Sequence, residues 1–197
     1  MPIPIVVPDP IEVEVCWYEL AQAGTCGLLR NIEAYRDNRP NSHGLDDNKD
    51  WEIHINGAIG EMIVAKAFNL YWDGSINTFK TQPDVAGLQV RTRSKDEYEL
   101  LVRPDDDNDK IFVHVTGKRF KYKVKGWKMG RDCKRKEWFK TFDRRPPAYF
   151  VPDYELHDIR TLPIEKNNSQ ESKNKMNNTQ EFKKPDPDSQ KVILPGF

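Results

Sequence analysis

The stretch PDVAGLQVRTRS, residues 83–94, decides the fold because it joins an acid, a tight turn and a strand. Asp84 comes directly before residues 85–87, Val-Ala-Gly, which are typical of a turn. Side chains alternate between the two faces of a strand. Two guanidiniums on one face repel each other unless an anion lies between them, and their planar forks match a phosphate group. The stretch therefore predicts an anion-facing strand whose polar face carries Gln89, Arg91 and Arg93.

Hydrophobic periodicity predicts the elements around this stretch. Apolar residues recur at a spacing close to 3.6 over 11–37 and 53–70, which is typical of helices, and a polar loop at 39–50 separates them. The run IFVHVT is nearly all apolar, so we place it at the centre of the sheet. Later elements are a short helix at 134–142 and a linker at 144–147. Strands are predicted at 88–93, 98–103, 111–116, 120–124 and 148–151.

These elements predict an α/β fold, or an α+β fold, with one mixed central sheet flanked by helices. We expect an N-terminal helical arm and loop over 1–50, a core over 51–161 and a disordered tail over 162–197. The tail has too few apolar residues to offset its chain entropy. It ends in the apolar tip VILPGF, from Val192 to Phe197, which is either an ordinary chain end or a peptide that docks on a protein partner.

Composition excludes several classes of protein. Of 197 residues, 37% are hydrophobic and 31% are charged, and no apolar run is long enough for a membrane span, so we expect no membrane partner. The N-terminus lacks the basic start and apolar core of a secretory signal. Three scattered cysteines without CxxC spacing argue against a disulfide framework or a zinc site. A reducing, cytoplasmic location is therefore expected.

The net charge of zero conceals a basic segment at 110–145, where fourteen Lys and Arg stand against three Asp and Glu, a net charge of +11. Such an excess predicts a nucleic-acid surface, with phosphate attraction from the basic residues and base stacking on interleaved aromatics. The alternative is a solvated face whose aromatics belong to the core. With Arg93, the candidate phosphate-binding residues are Lys118, Arg119, Lys121, Lys123, Lys125, Lys134, Arg135 and Lys136.

The second helix carries an acid among small residues. Glu61 shares its helix face with Gly57, Ala58, Val64 and Ala65, which allow close packing on a sheet. A buried glutamate needs a partner, so this residue is either functional or an edge acid with a solvated tip.

Glu61 on a helix, Asp84 after Pro83, and Gln89 and Arg91 on a strand together resemble the PD-(D/E)xK (restriction-endonuclease-like) nucleases. The resemblance implies a restriction-endonuclease-like core and divalent-metal-dependent phosphodiester hydrolysis of DNA. It also implies Mg²⁺ or Mn²⁺ bound by Glu61, Asp84 and Gln89, with Arg91 as the fourth catalytic residue. A longer run is similar to bacterial and phage proteins, which implies a location in the host cytoplasm or the virion.

Two departures from this pattern leave two hypotheses. Gln89 stands where the family has an acid, so it adds no charge to a metal site. Arg91 stands where the family has lysine, and arginine stays protonated and cannot act as a base. The first hypothesis is a DNA endonuclease of low activity. The second is a catalytically silent module on the same fold, which binds nucleic acid or serves as an assembly protein in a phage particle.

Overall fold

The computed structural model describes residues 7–37, 50–76, 85–142 and 145–164. The fold is a mixed α+β arrangement of three α-helices and two sheets in this part of the chain. The described elements belong to a unit that ends at Pro163. Beyond Ile164, the predicted tail and its apolar tip lie outside the described residues, as do most of the predicted loop at 39–50 and Asp84. Among the described helices, none has the length and apolar character that crossing a membrane requires.

The predicted first helix is shorter than expected because its first residues form a strand. Strand β1, Ile11–Glu14, pairs antiparallel with a later strand and buries Val13. Helix α1, Trp17–Arg36, begins only after this strand. Its start is stabilised by Glu19, whose carboxylate accepts the backbone N–H of Cys16 at 2.8 Å. The prediction of a helix from residue 11 is wrong, because pairing across the sheet determines the structure of the segment IEVE.

Helix α2, Asp50–Ala67, confirms the predicted second helix and lies between α1 and the first sheet. Its close approach to the sheet depends on Gly60. A Cβ atom there would collide with Thr92 Oγ1 and lie 3.2 Å from Val90 Cγ1. The helix therefore contacts the strand that carries Val90 and Thr92 through Gly60, which is not one of the small residues of the predicted packing face.

The first sheet is four-stranded, in the order β1-β5-β4-β2. Strand β2 is parallel to β4, whereas β4 and β5 form an antiparallel hairpin. The predicted central position of IFVHVT is confirmed, because β4 has a neighbour on each side and Val113 and Val115 are fully buried. The bounds are β2 Gln89–Arg93, β4 Ile111–Lys118 and β5 Lys121–Met129.

The second sheet is three-stranded and antiparallel, in the order β3-β7-β6. The predicted helix at 134–142 is wrong: a 3₁₀ turn, Lys136–Trp138, is followed by strand β6. Aromatic pairing across the strands provides the reason, since Phe142 contacts the ring of Phe150 with centroids 5.5 Å apart. The predicted linker at 144–147 is mostly strand. The bounds are β3 Leu100–Val102, β6 Phe139–Phe142 and β7 Arg145–Val151, with the four-residue helix α3, Gly130–Cys133, before β6.

The core between the two sheets forms around Phe112 of β4. Its side chain is fully buried, and it packs with residues of β3, β7 and the 3₁₀ turns. The other members of this cluster are Leu100, Val102, Cys133, Trp138, Val151 and Leu156. Strand β2, which carries Arg91 and Arg93, is an edge strand of the first sheet. Both α2 and β3 of the second sheet contact it.

Candidate functional site

A cavity of about 480 Å³ opens between the N-terminal half of α2, strand β2 and the second sheet. Its described lining includes one acid, Glu52, and the amide of Asn56, both from α2. The rest is a mixture of basic, aromatic and aliphatic side chains. We call it the arginine cavity because four guanidiniums line it, those of Arg91, Arg93, Arg103 and Arg145.

Arg91 is held on the face of β2 that is turned toward the second sheet. Its Nη2 atom lies 2.8 Å from Asp106 Oδ1, and its guanidinium carbon lies 5.1 Å from the centroid of the Phe112 ring. Asp106 also accepts the backbone N–H of Arg103 at 2.8 Å. Arg91 therefore has an acid of the same chain as its partner, from the acidic turn at 104–109 that follows β3.

The other cavity arginines are crowded by like charges. Burial lowers the pKa of Arg93 below its ordinary value, and the nearby guanidinium of Arg145 lowers it further, against opposing effects of Tyr98 and Glu99. Burial also lowers the pKa of Arg103, and the guanidinium of Arg91 adds to the effect, against opposing effects of Asp106 and Asp105. Arginine stays protonated under these conditions. Because desolvation and mutual repulsion both disfavour the cations, a bound anion would relieve both costs.

Aromatic rings share the cavity with the arginines. The guanidinium of Arg93 lies over the ring of Tyr98, with its central carbon 4.9 Å from the centroid. Phe142 of β6 and Phe150 of β7 line the cavity and meet edge to face at 75°. Phe142 is 51% exposed, so one large ring at this site is available to a ligand. The cavity therefore combines guanidinium groups with the flat apolar surfaces of aromatic rings.

Glu61 is buried and paired with Arg30 of α1. Arg30 Nη2 lies 2.7 Å from Glu61 Oε2, and Arg30 Nη1 contacts Glu61 Oε1. The indole N–H of Trp72 donates to Oε2 at 3.4 Å. Both carboxylate oxygens therefore accept hydrogen bonds from the same guanidinium, and the predicted functional acid has a structural partner in the helix pair.

The structure does not bring Glu61 together with Arg91. The residue before Glu61, Gly60, packs on the side chains of Val90 and Thr92. Arg91 alternates with these two residues and points to the opposite face of β2, where it meets Phe112. The carboxylate and the guanidinium are thus separated by the sheet, and the arginine cavity contains neither Glu61 nor Gln89 among its described lining.

The predicted metal ligands are described only in part. Asp84 lies outside the described residues, but the turn after it forms as predicted: Leu88 N–H donates to Val85 O at 2.9 Å, and Ala86 and Gly87 have positive φ angles. Gln89 is half-buried and pairs in register with Phe112. Among the described residues, no group of three or more His, Cys, Asp or Glu side chains is placed to hold a metal ion. A metal ion at Glu61 would compete with the Arg30 guanidinium for the carboxylate oxygens.

Much of the basic segment is neutralised by acids from elsewhere in the chain. Lys125 Nζ lies 2.5 Å from Asp153 Oδ2, and Lys123 Nζ lies 2.9 Å from Asp96 Oδ2. Hydrogen bonds from Lys123, Thr116 and Lys125 lower the pKa of Asp96 well below its usual range. In the described part of the chain, seven basic residues of this segment pair with acids outside it: Lys121, Lys123, Lys125, Lys128, Arg131, Arg135 and Lys140.

The remaining predicted phosphate-binding residues fall into two groups. Lys134 donates to the backbone oxygens of Pro104 and Asp106, at 2.9 and 2.5 Å, and so closes the acidic turn after β3. Lys118, Arg119 and Lys136 are exposed, the first two at the turn between β4 and β5. The predicted basic face is therefore more dispersed than its net charge of +11 suggests.

Half of the cavity arginines were not predicted from the sequence. Arg103 directly follows β3 and Arg145 begins β7, so both stand where a strand meets a turn. The signal available in the sequence was an arginine at one end of several predicted strands. It gave no position in space, because the second sheet was not predicted as separate from the first.

No protein-family model, curated protein or solved structure matches this chain. The resemblance to PD-(D/E)xK nucleases therefore stays a prediction based on Glu61, Asp84, Gln89 and Arg91.

Proposed function

We propose that this protein binds nucleic acid and holds its phosphate groups in the arginine cavity. One observation carries the proposal: four guanidiniums line a single cavity whose described lining includes one acid. A guanidinium donates two parallel hydrogen bonds to a phosphate group, which makes arginine the common choice for such recognition. The proposal corresponds to the second hypothesis from the sequence, a binding module rather than a nuclease.

The electrostatics of the cavity support an anionic ligand. Arg93 and Arg103 are partly buried cations whose neighbours include further guanidiniums. Glu99 acts on Arg93, and Asp105 and Asp106 act on Arg103, so acids of the chain offset part of this charge. Desolvation still disfavours both cations, and a phosphate in the cavity adds favourable negative charge and hydrogen-bond acceptors.

The aromatic residues favour a nucleic acid over a simple anion. Tyr98, Phe142 and Phe150 line the same cavity as the arginines. Bases stack on aromatic rings in proteins that bind unpaired nucleic acid, and arginine adds cation–π contacts. An inorganic anion makes no stacking contact with these rings. A nucleotide contacts the guanidiniums with its phosphate and the rings with its base.

The first test is a binding titration with substitutions in the cavity. Fluorescence anisotropy of labelled DNA is measured with the full chain and with Arg93→Gln and Arg145→Gln. Arg36→Gln removes the same charge from an exposed position on α1 and serves as the matched control. We expect each cavity variant to lower the affinity about tenfold, because a charge-assisted hydrogen bond is lost. The control should bind as the wild type does.

Salt dependence and cleavage complete the test. Between about 50 and 200 mM salt, the affinity falls as salt rises. In each cavity variant, the slope of log affinity against log salt should be less steep by about one. Absence of DNA binding at low salt, or equal losses in Arg36→Gln, would overturn the proposal. Incubation of plasmid with the protein and Mg²⁺ or Mn²⁺ tests the competing hypothesis, a metal-dependent nuclease. Cleavage that disappears in Asp84→Ala would show that the protein is a nuclease, as the resemblance implies.

A further inference from the structure

We infer that the arginine cavity accepts one unpaired nucleotide, so that the protein prefers single-stranded nucleic acid to duplex. This inference rests on the proposed function and names the form of nucleic acid that the site takes. It depends on three features of the cavity: its size, the division of its lining between cations and rings, and the exposure of one ring.

The size of the cavity suits a single nucleotide. Its volume of about 480 Å³ falls within the range of roughly 300–1,000 Å³ for pockets that enclose one small ligand. A duplex exposes its phosphates on the outside and keeps its bases stacked within. A base can enter a cavity of this size only when it is unpaired or has left the stack.

The lining provides separate surfaces for a phosphate and for a base. The guanidiniums of Arg91 and Arg93 project from β2, whereas Arg103 and Arg145 come from the second sheet, at the end of β3 and the start of β7. Phe142 and Phe150 belong to β6 and β7 on the second sheet. A nucleotide can therefore place its phosphate against β2 and its base against the second sheet.

The exposed ring of Phe142 is the feature that distinguishes single strand from duplex. This side chain is 51% exposed, and its edge-to-face contact with Phe150 fixes the orientation of the ring. An exposed aromatic ring gains most from a base that can stack on it. A single strand offers such a base without cost, whereas a duplex must first break pairing and stacking.

The experiment compares one DNA sequence in two forms. The labelled single strand and its duplex are titrated with the full chain at the same salt concentration. We expect the single strand to bind about tenfold more tightly, which is within the range for stacking of a base on an aromatic ring. Equal or tighter binding of the duplex would overturn the inference and leave the proposed function standing. Failure of both forms to bind would overturn the proposed function itself.

A pair of matched variants tests the role of the ring. Phe142→Ala should lower single-strand affinity about tenfold and leave duplex affinity unchanged, because only the unpaired base uses the ring. Phe120→Ala removes a ring of similar exposure, 49%, at the turn between β4 and β5, and should change neither. Circular dichroism and a thermal melt compare the folding of the variants with the wild type. A well-folded Phe142→Ala protein with wild-type single-strand affinity would refute the placement of the base.

Discussion

The guanidinium of Arg30 and the carboxylate of Glu61 form a buried ion pair that joins α1 to α2. The two residues are 8% and 5% exposed, and Arg30 Nη2 lies 2.7 Å from Glu61 Oε2. The pair has two contacts in parallel, a geometry that fixes the rotation of one helix against the other. Its consequence for stability is asymmetric, because loss of one partner leaves the other charge buried.

Arg30→Met should lower the free energy of unfolding by about 3–5 kcal/mol, the cost of leaving a buried charge unpaired. The double variant with Glu61→Leu removes both charges and should recover most of this loss. Urea denaturation followed by circular dichroism measures both. Arg36→Met, at an exposed arginine of the same helix, is the control and should cost less than about 1 kcal/mol. A single variant no less stable than this control would contradict the buried pair.

Gly60→Ala should destabilise the protein by about 1–3 kcal/mol, because the added methyl group overpacks the contact with Thr92 and Val90. Gly57→Ala is the matched control on the same helix, where a Cβ atom meets nothing within 4 Å. It should be neutral or stabilising by about 1 kcal/mol, since alanine favours the helix. Chemical denaturation of the two variants compares them. If Gly60→Ala stabilises the protein as Gly57→Ala does, the close contact between Gly60 and β2 is contradicted.

The stability of the protein should fall as the pH decreases below about 6.5, the ordinary pKa of histidine. Burial lowers the pKa of His114, against the opposing effect of Asp153, whose Oδ1 lies 3.2 Å from His114 Nδ1. Lys125 and Arg93 lower it further. In this range the unfolded chain binds a proton that the folded imidazole does not, so unfolding is favoured. Above about pH 6.5, the His114 imidazole is neutral in both the folded and the unfolded state, so its contribution to the free energy of unfolding stays constant.

Unfolding free energies measured from pH 5 to 8 in urea check this dependence, a range in which histidine titrates. His114→Gln should flatten the slope near the histidine pKa. His157→Gln, at an exposed position, is the control and should retain the wild-type slope. An unchanged slope in His114→Gln would assign the titration to another group.

Glu52 should act as a base-selective residue in the arginine cavity. A carboxylate accepts a hydrogen bond from the exocyclic amino group of cytosine, which thymine lacks. We therefore expect oligo(dC) to bind about tenfold more tightly than oligo(dT), a typical effect of one base contact. Glu52→Gln should reduce this preference and tighten binding overall, because it removes the acid from the lining.

Anisotropy titrations of the two oligonucleotides measure the effect of Glu52. Glu14→Gln changes an exposed acid outside the arginine cavity and should leave the base preference as in the wild type. Equal affinity of both oligonucleotides for the wild-type protein would contradict a contact between Glu52 and the base.

Much of the fold was predictable because its strongest patterns are local. The apolar period of α2 and the buried run of β4 each identify their element from contiguous residues. The segment IEVE and the segment around Trp138 were assigned wrongly as helix. Their strands depend on partners far along the chain, β5 for the first and β7 for the second. No short window of sequence contains that information.

The site was predictable only where strand alternation decides it. The shared face of Arg91 and Arg93 follows from the period of β2, whereas Arg145 joins them through the docking of a second sheet. The pairing of Glu61 with Arg30 spans two helices, so the sequence showed an acid in need of a partner without showing the partner. The basic segment likewise showed its cations but not the acids that neutralise them.

The arginine cavity has walls from α2, from the first sheet and from the second sheet, so it exists only when all three have docked. Whatever occupies it therefore binds the native state and not the unfolded chain. By mass action, such an occupant raises the melting temperature in proportion to the logarithm of its concentration once it exceeds the dissociation constant. A thermal-shift screen of nucleotides can thus find the occupant without any assay of activity.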